Sequence, residues 1–249
     1  MSIAIVLLIG AIVGFLSGLL GKGGSAIATP ALQIFAGINP FAALASPLPA
    51  TLPTTLSASL AYRKEKFIIK RIVVLSIVIG IPATLIGSFF SEWVGGKSLM
   101  ILTAIFVLSL GISFFIVPAE REFVNAPRVP FWKIFTVATS VGFLSGLLAN
   151  SGGILYGPLF IRFFKIPTKH ALACSLLVAG GLAIPGTIAH WYLGHIHWQV
   201  VLYLSISAIP SSYLGAKLAI SLRNVVLEKI FGVMLLVFGS FDLWYSIVK

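Results

Sequence analysis

An eight-residue string, Val13 to Leu20, recurs unchanged as Val141 to Leu148. The offset is 128 residues in a chain of 249, so the second copy opens the second half. The agreement runs on without a gap. Of the 36 positions from Val13 to Leu48, 16 are identical to their partners from Val141 to Leu176. Farther on, Ile81 and Pro82 meet Ile209 and Pro210, Gly87 meets Gly215, and Gly111 meets Gly239. Any fold must therefore accommodate two similar units.

The units are apolar throughout. Hydrophobic residues make up 59% of the chain and charged residues 9%, against about 25% charged in a soluble domain. A soluble domain of this length cannot hide so much apolar surface. Ten apolar segments can be marked, at roughly 2–20, 26–38, 40–61, 71–92, 98–117, 131–148, 154–165, 168–190, 198–220 and 224–247. Such runs predict an all-α polytopic membrane protein. The stretch Pro118 to Pro130 is polar and proline-bearing. It divides the chain into a first repeat (1–117), a central cytoplasmic linker (118–130) and a second repeat (131–249), each repeat with five segments. Met1 to Gly21 lacks a basic start, and its second half recurs inside the chain, so it reads as a retained helix and not a signal peptide. The net charge of +11 could suit nucleic acid, but the basic residues sit in short loops between apolar runs, which favours a membrane over nucleic acid.

Charge also predicts the relation between the halves. The loop from Arg63 to Arg71 is basic and its counterpart, Trp191 to Gln199, has no Lys or Arg. Conversely, Arg162, Lys165 and Lys169 are basic where Ile34 to Phe41 is not. If all ten segments cross, with both termini outside, 15 of the 17 Lys and Arg residues fall inside. If the short second segment of each half is re-entrant, the split is 9 against 8, which is no bias. The positive-inside rule thus selects two inverted five-segment repeats in the plasma membrane. The five tryptophans, at or near segment ends, suit an interfacial belt.

The second segment of each half is too short to span the core as a straight helix by itself. About 12 residues span roughly 18 Å of a core about 30 Å thick. Each follows a glycine-rich turn and carries a proline near its start, as half-helices do. A half-helix N-terminus offers free N–H groups and partial positive charge, which suits an anion. The candidate substrate-binding residues are therefore Gly21, Gly23, Gly24, Ser25, Thr29 and Pro30 in the first half, with Asn150, Ser151, Gly152, Gly153 and Pro158 in the second. The same glycines would equally serve close helix packing, which is the favoured reading for Gly14, Gly18, Gly142 and Gly146. The third segment adds Pro49, Thr51 and Pro53, and its copy adds Ser175. Its three prolines, Pro47 included, predict a broken helix whose freed carbonyls are met by hydroxyls or water.

Other chemistry is sparse. Cys174 is the single cysteine, which excludes disulfide frameworks and thiolate clusters. No metal or cofactor is expected. Asp242 and Lys22 read as interfacial, and no buried acidic pair is evident to couple protons or sodium. Export of an anion from a negative-inside cell gains about 2.3 kcal/mol per charge per 100 mV, so it needs no coupling ion.

Gly21, Gly23 and Gly24 ahead of Pro30 and Leu32, repeated as Ser151, Gly152 and Gly153 ahead of Pro158 and Phe160, resemble the TauE/SafE family of membrane permeases. The resemblance spans both halves. It implies export of sulfite or an organosulfonate. The chain departs from the glycine-rich pattern at Ser25, and carries Asn150 and Ser151 where the first copy has Lys22 and Gly23. The expected activity is alternating-access transport of a small anion. The alternatives are a passive anion channel and an intramembrane hydrolase built on Ser17, Ser145 or Ser151 with His170 or His190. The repeat opposes the hydrolase, because the histidines have no partner in the first half. The expected partners are the anion and the lipid bilayer, with a homo-oligomer left open.

Overall fold

A computed structural model describes residues 2–21, 25–90, 96–116, 129–147, 153–192 and 194–248. Among these residues there are eleven helices and no strands. They are α1 (Ile3–Leu20), α2 (Ser25–Ala36), α3 (Pro40–Ala45), α4 (Pro47–Lys64), α5 (Lys70–Phe90), α6 (Gly96–Ile116), α7 (Phe131–Leu147), α8 (Gly153–Arg162), α9 (Thr168–Tyr192), α10 (Trp198–Ser221) and α11 (Asn224–Val248). Shifted by 128, α1 overlies α7, α2 overlies α8, α3 with α4 overlies α9, α5 overlies α10 and α6 overlies α11.

Eleven helices replace the ten expected segments because the third is split at Ser46. Pro47 and Pro49 lack the N–H that would bond four residues back, so the hydrogen-bond ladder lapses there. Ser46 keeps helical angles, φ −63° and ψ −31°. The interruption is thus one of bonding more than of direction. Its copy, α9, has Ser175 and Leu177 at those positions and runs unbroken for 25 residues.

Packing follows the repeat. α1 lies on α10 and, equivalently, α5 lies on α7. Small residues allow it: a Cβ at Gly14 would sit 2.6 Å from Ala208 Cα, and one at Gly142 would sit 2.7 Å from Gly80 O. The expected packing role of these glycines holds at both positions, which are equivalent by the repeat. α6 packs on α11, its own counterpart, and α4 on α9. These two pairs run antiparallel. Gly111 abuts Leu235 and Leu236, whereas Gly232 abuts Phe114 and Phe115, and Gly239 abuts Leu108. On α4 and α9, Leu48 faces Gly186 and Thr55 faces Gly180. A two-fold relation that sends a helix onto an antiparallel copy has its axis across the helices.

All the helices but α8, which is buried, turn apolar residues outward, as at Leu8, Leu60, Val78, Ile105 and Val237. Such outward apolar faces suit lipid and not water. Among the described residues, four helices, α1, α5, α9 and α11, are long and apolar enough to cross a membrane, with shorter apolar stretches at Val107–Ile116 and Phe131–Leu147. Trp132, Trp191, Trp198 and Trp244 are exposed at helix ends.

The loops sort by charge. At one end, the Ile69 amide donates to Cys174 Sγ (3.3 Å), Lys133 Nζ to Phe163 O (3.1 Å) and Lys169 Nζ to Ile220 O (2.6 Å). This end gathers Arg63, Lys64, Lys66, Lys70, Lys133, Arg162, Lys165, Lys169 and Arg223. At the other end, Phe41 stacks on His195 (5.0 Å) and the His197 amide donates to Ser46 Oγ (3.0 Å).

Candidate transport site

α2 and α8 are short, 12 and 10 residues, and start directly after the two glycine-rich turns. Gly21 ends α1 in the left-handed region (φ 62°), and its N–H bonds Ser17 O. The proline near the start of each lies in its second turn: Pro158 is the sixth residue of α8, and Pro30 the sixth of α2. Here it loosens the ladder inside the half-helix instead of opening it. Gly23, Gly24, Asn150, Ser151 and Gly152, and the side chains of Ser25 and Pro30, lie outside the described residues.

Gly21 is joined to the other half. Ser175 Oγ lies 2.6 Å from Gly21 O and 3.1 Å from Leu172 O of its own helix. One hydroxyl proton serves two carbonyls there, so Ser175 fastens the turn and offers no second donor to a ligand. A Cβ at Gly21 would collide with Leu172 O, so the turn sits directly on α9.

A small cavity opens between α1, α2, α4 and α10, lined by Gly10, Val13, Ala28, Pro47, Ala50, Thr51, Thr54, Leu204 and Ala208. A water-sized sphere finds about 20 Å³ of room in it, enough for one water and too little for an oxyanion. Of the expected site residues that are described, it gathers Thr51 alone. Pro49 and Pro158 are buried elsewhere, and Pro53 and Thr29 are half-buried. Thr51 Oγ1 donates to Pro47 O (2.8 Å), Thr54 Oγ1 to Ala50 O (2.7 Å) and Thr55 Oγ1 to Leu52 O (3.0 Å). These are bonds back along the helix. They miss the carbonyls of Ala43, Ala45 and Pro49, the ones left without N–H donors by Pro47, Pro49 and Pro53. Of the two expected partners for those carbonyls, hydroxyls or water, these three hydroxyls are spent on other carbonyls of their own helix.

The equivalent place in the second half is full. Ala28 corresponds to Tyr156, which is fully buried. Tyr156 Oη donates to Ala138 O (3.3 Å), the counterpart of Gly10. A Cβ at Gly80, the counterpart of Ala208, would lie 3.2 Å from that Oη. The repeat has thus kept the space in one half and filled it with a phenol ring in the other.

One buried charge escaped the sequence reading. Glu228 is 4% exposed. Its Oε1 accepts from Thr168 Oγ1 (2.7 Å), and its Oε2 lies 3.5 Å from Arg162 Nη2. Arg162 also donates to Ser113 O (3.2 Å), with its guanidinium 4.3 Å above the Phe114 ring. An acid inside the apolar segment 224–247 was the available signal. Among the described residues, His190 pairs with His195 (3.2 Å between Nδ1 atoms) and His170 meets Phe67 edge-on.

The family model for "Sulfite exporter TauE/SafE" matches residues 6–241. The chain belongs to the TauE/SafE family. It is 26% identical to the probable membrane transporter protein YunE of Bacillus subtilis, over 92% of this chain and 91% of that one. It is 26% identical to a probable membrane transporter protein of Xylella fastidiosa strain Temecula1, over 95% and 93%. With the probable membrane transporter protein YfcA of Escherichia coli K12 it shares 23% over 84% and 77%. The relatives are named as transporters and not as enzymes. The chain is a membrane-embedded transporter of this family.

Proposed function

We propose that this TauE/SafE protein moves a small anion, sulfite or an organosulfonate, out of the cell by alternating access of one repeat against the other. The observation that carries this reading is the reciprocal pairing of the halves. α6 and α11 are equivalent and antiparallel, as are α4 with α9, and inverted repeats of this kind are a transporter architecture. The family description, a sulfite exporter, supports a sulfur oxyanion as the substrate. On this reading the units are 1–117 and 131–249, joined by a cytoplasmic linker, in the plasma membrane with both termini outside. The paired glycine-rich turns form the anion site, and the water-sized cavity beside Thr51 is part of the path in a closed state. The single space in the first half would give the path one wide side and one sealed side.

Proteoliposomes loaded with sulfite provide the test. Efflux should saturate, show counterflow with outside sulfite, and quicken when the inside is made negative. Flux that rises linearly with concentration and shows no counterflow would instead mark a channel. Absence of sulfite, sulfoacetate and thiosulfate flux would end the anion reading.

A further inference from the structure

The Arg162–Glu228 pair is not needed by the fold. Shifted by 128, Arg162 falls on Ile34, Glu228 on Met100 and Thr168 on Pro40. The first half builds the same helices without any of the three polar groups. A buried ion pair seldom stabilises more than apolar residues of like volume. Ionisable groups within membrane-spanning segments, by contrast, mark substrate or ion pathways.

The pair is also loosely made. Arg162 Nη2 and Glu228 Oε2 are 3.5 Å apart, beyond the 2.7–2.9 Å or so of a tight charge-assisted bond. Among the described residues Oε2 accepts no hydrogen bond. The guanidinium also lies over Phe114 and donates to Ser113 O, two contacts apart from the carboxylate. A fixed guanidinium fork matches the paired oxygens of a sulfur oxyanion. It stands at the end that also carries Lys133 and Lys169, each tied to a helix-end carbonyl, and such a field concentrates anions.

We infer that Arg162 is an anion-receiving residue at the basic end of the molecule, with Glu228 as a resident counter-ion that a sulfur oxyanion displaces. This rests on the small-anion transport reading above. While Glu228 occupies the guanidinium, the station is self-blocked. A substrate oxyanion takes its place, and Glu228 Oε1 stays anchored by Thr168.

Equilibrium binding of radiolabelled sulfite to purified protein, with flux in proteoliposomes, decides it. Glu228→Gln removes the competing charge and should tighten sulfite binding about tenfold, the worth of one charge-assisted hydrogen bond. A merely structural pair would give no gain. The double variant Arg162→Ile with Glu228→Met copies the first half; it should fold with wild-type helicity and bind sulfite at least about tenfold more weakly. If that variant does not fold, Arg162→Lys, which keeps the charge but loses the fork, should weaken binding while leaving the melting temperature near wild type. Wild-type affinity in Glu228→Gln, or in a folded double variant, overturns the inference and leaves the transport reading standing. If the wild type neither binds nor moves sulfite, both fall together.

Discussion

Ala28 and Tyr156 hold equivalent positions, and the difference between a methyl and a phenol decides which half has a cavity. The second half seats its ring against Gly80, where the first half has Ala208, so Ala28→Tyr should overpack the water-sized space at a cost of about 1–3 kcal/mol. In protein that still folds it should lower sulfite efflux at least about tenfold; full efflux would remove the cavity from the path. Gly14 works by what it lacks. Its missing side chain lets α10 approach to where a Cβ would lie 2.6 Å from Ala208 Cα. Gly14→Leu should cost about 1–3 kcal/mol by overpacking, read as a lower midpoint in thermal unfolding in detergent, whereas Leu at exposed Leu8 replaced by Ile should leave it unmoved. Glu228 was legible as an acid in an apolar segment. That Arg162 would meet it was not, since the two lie 66 positions apart on different helices.

At the scale of elements, the helix ends were readable because turns and prolines bound the apolar runs. α7 at Phe131–Leu147 and α10 at Trp198–Ser221 fall within a residue of the apolar stretches that predict them. The split of the third segment was legible from its prolines, but the matching break expected in the copy at Gly180, Gly181 and Pro185 is absent: α9 runs unbroken, because the copy lacks the paired prolines that Pro47 and Pro49 supply. The destination of the hydroxyls was not. Thr51 and Thr54 reach a carbonyl on the preceding turn because it is the nearest acceptor on the same helix. Ser175 takes an acceptor 154 positions away, Gly21 O, a contact that spacing cannot reveal. Ser175→Ala leaves that buried carbonyl without the hydroxyl. The expected loss is about 1–2 kcal/mol of stability, seen as a lower melting point together with faster hydrogen exchange at the end of α1. An unchanged exchange rate there would show that the turn is held by other contacts.

Across the whole molecule, the two ends differ in charge, and the repeat is swapped between them. Cys174 is the only cysteine and is buried, which makes single-cysteine topology mapping direct. Lys66→Cys and Gly194→Cys lie in exposed loops at opposite ends. In intact cells an impermeant maleimide should label the Gly194 position and reach the Lys66 position only after permeabilisation. Equal labelling of both before permeabilisation would contradict an inverted arrangement across the membrane.

The sequence alone determines the helical membrane class, the duplication and the opposed charge of matching loops, because each is a local or periodic property of composition. Only the tertiary structure decides that equivalent helices pack antiparallel on each other, that Tyr156 fills in one half the space left open by Ala28 in the other, and that Glu228 lies against Arg162. These depend on which residues meet after the chain has crossed its own two-fold, and contact at long separation leaves no mark in the order of the residues.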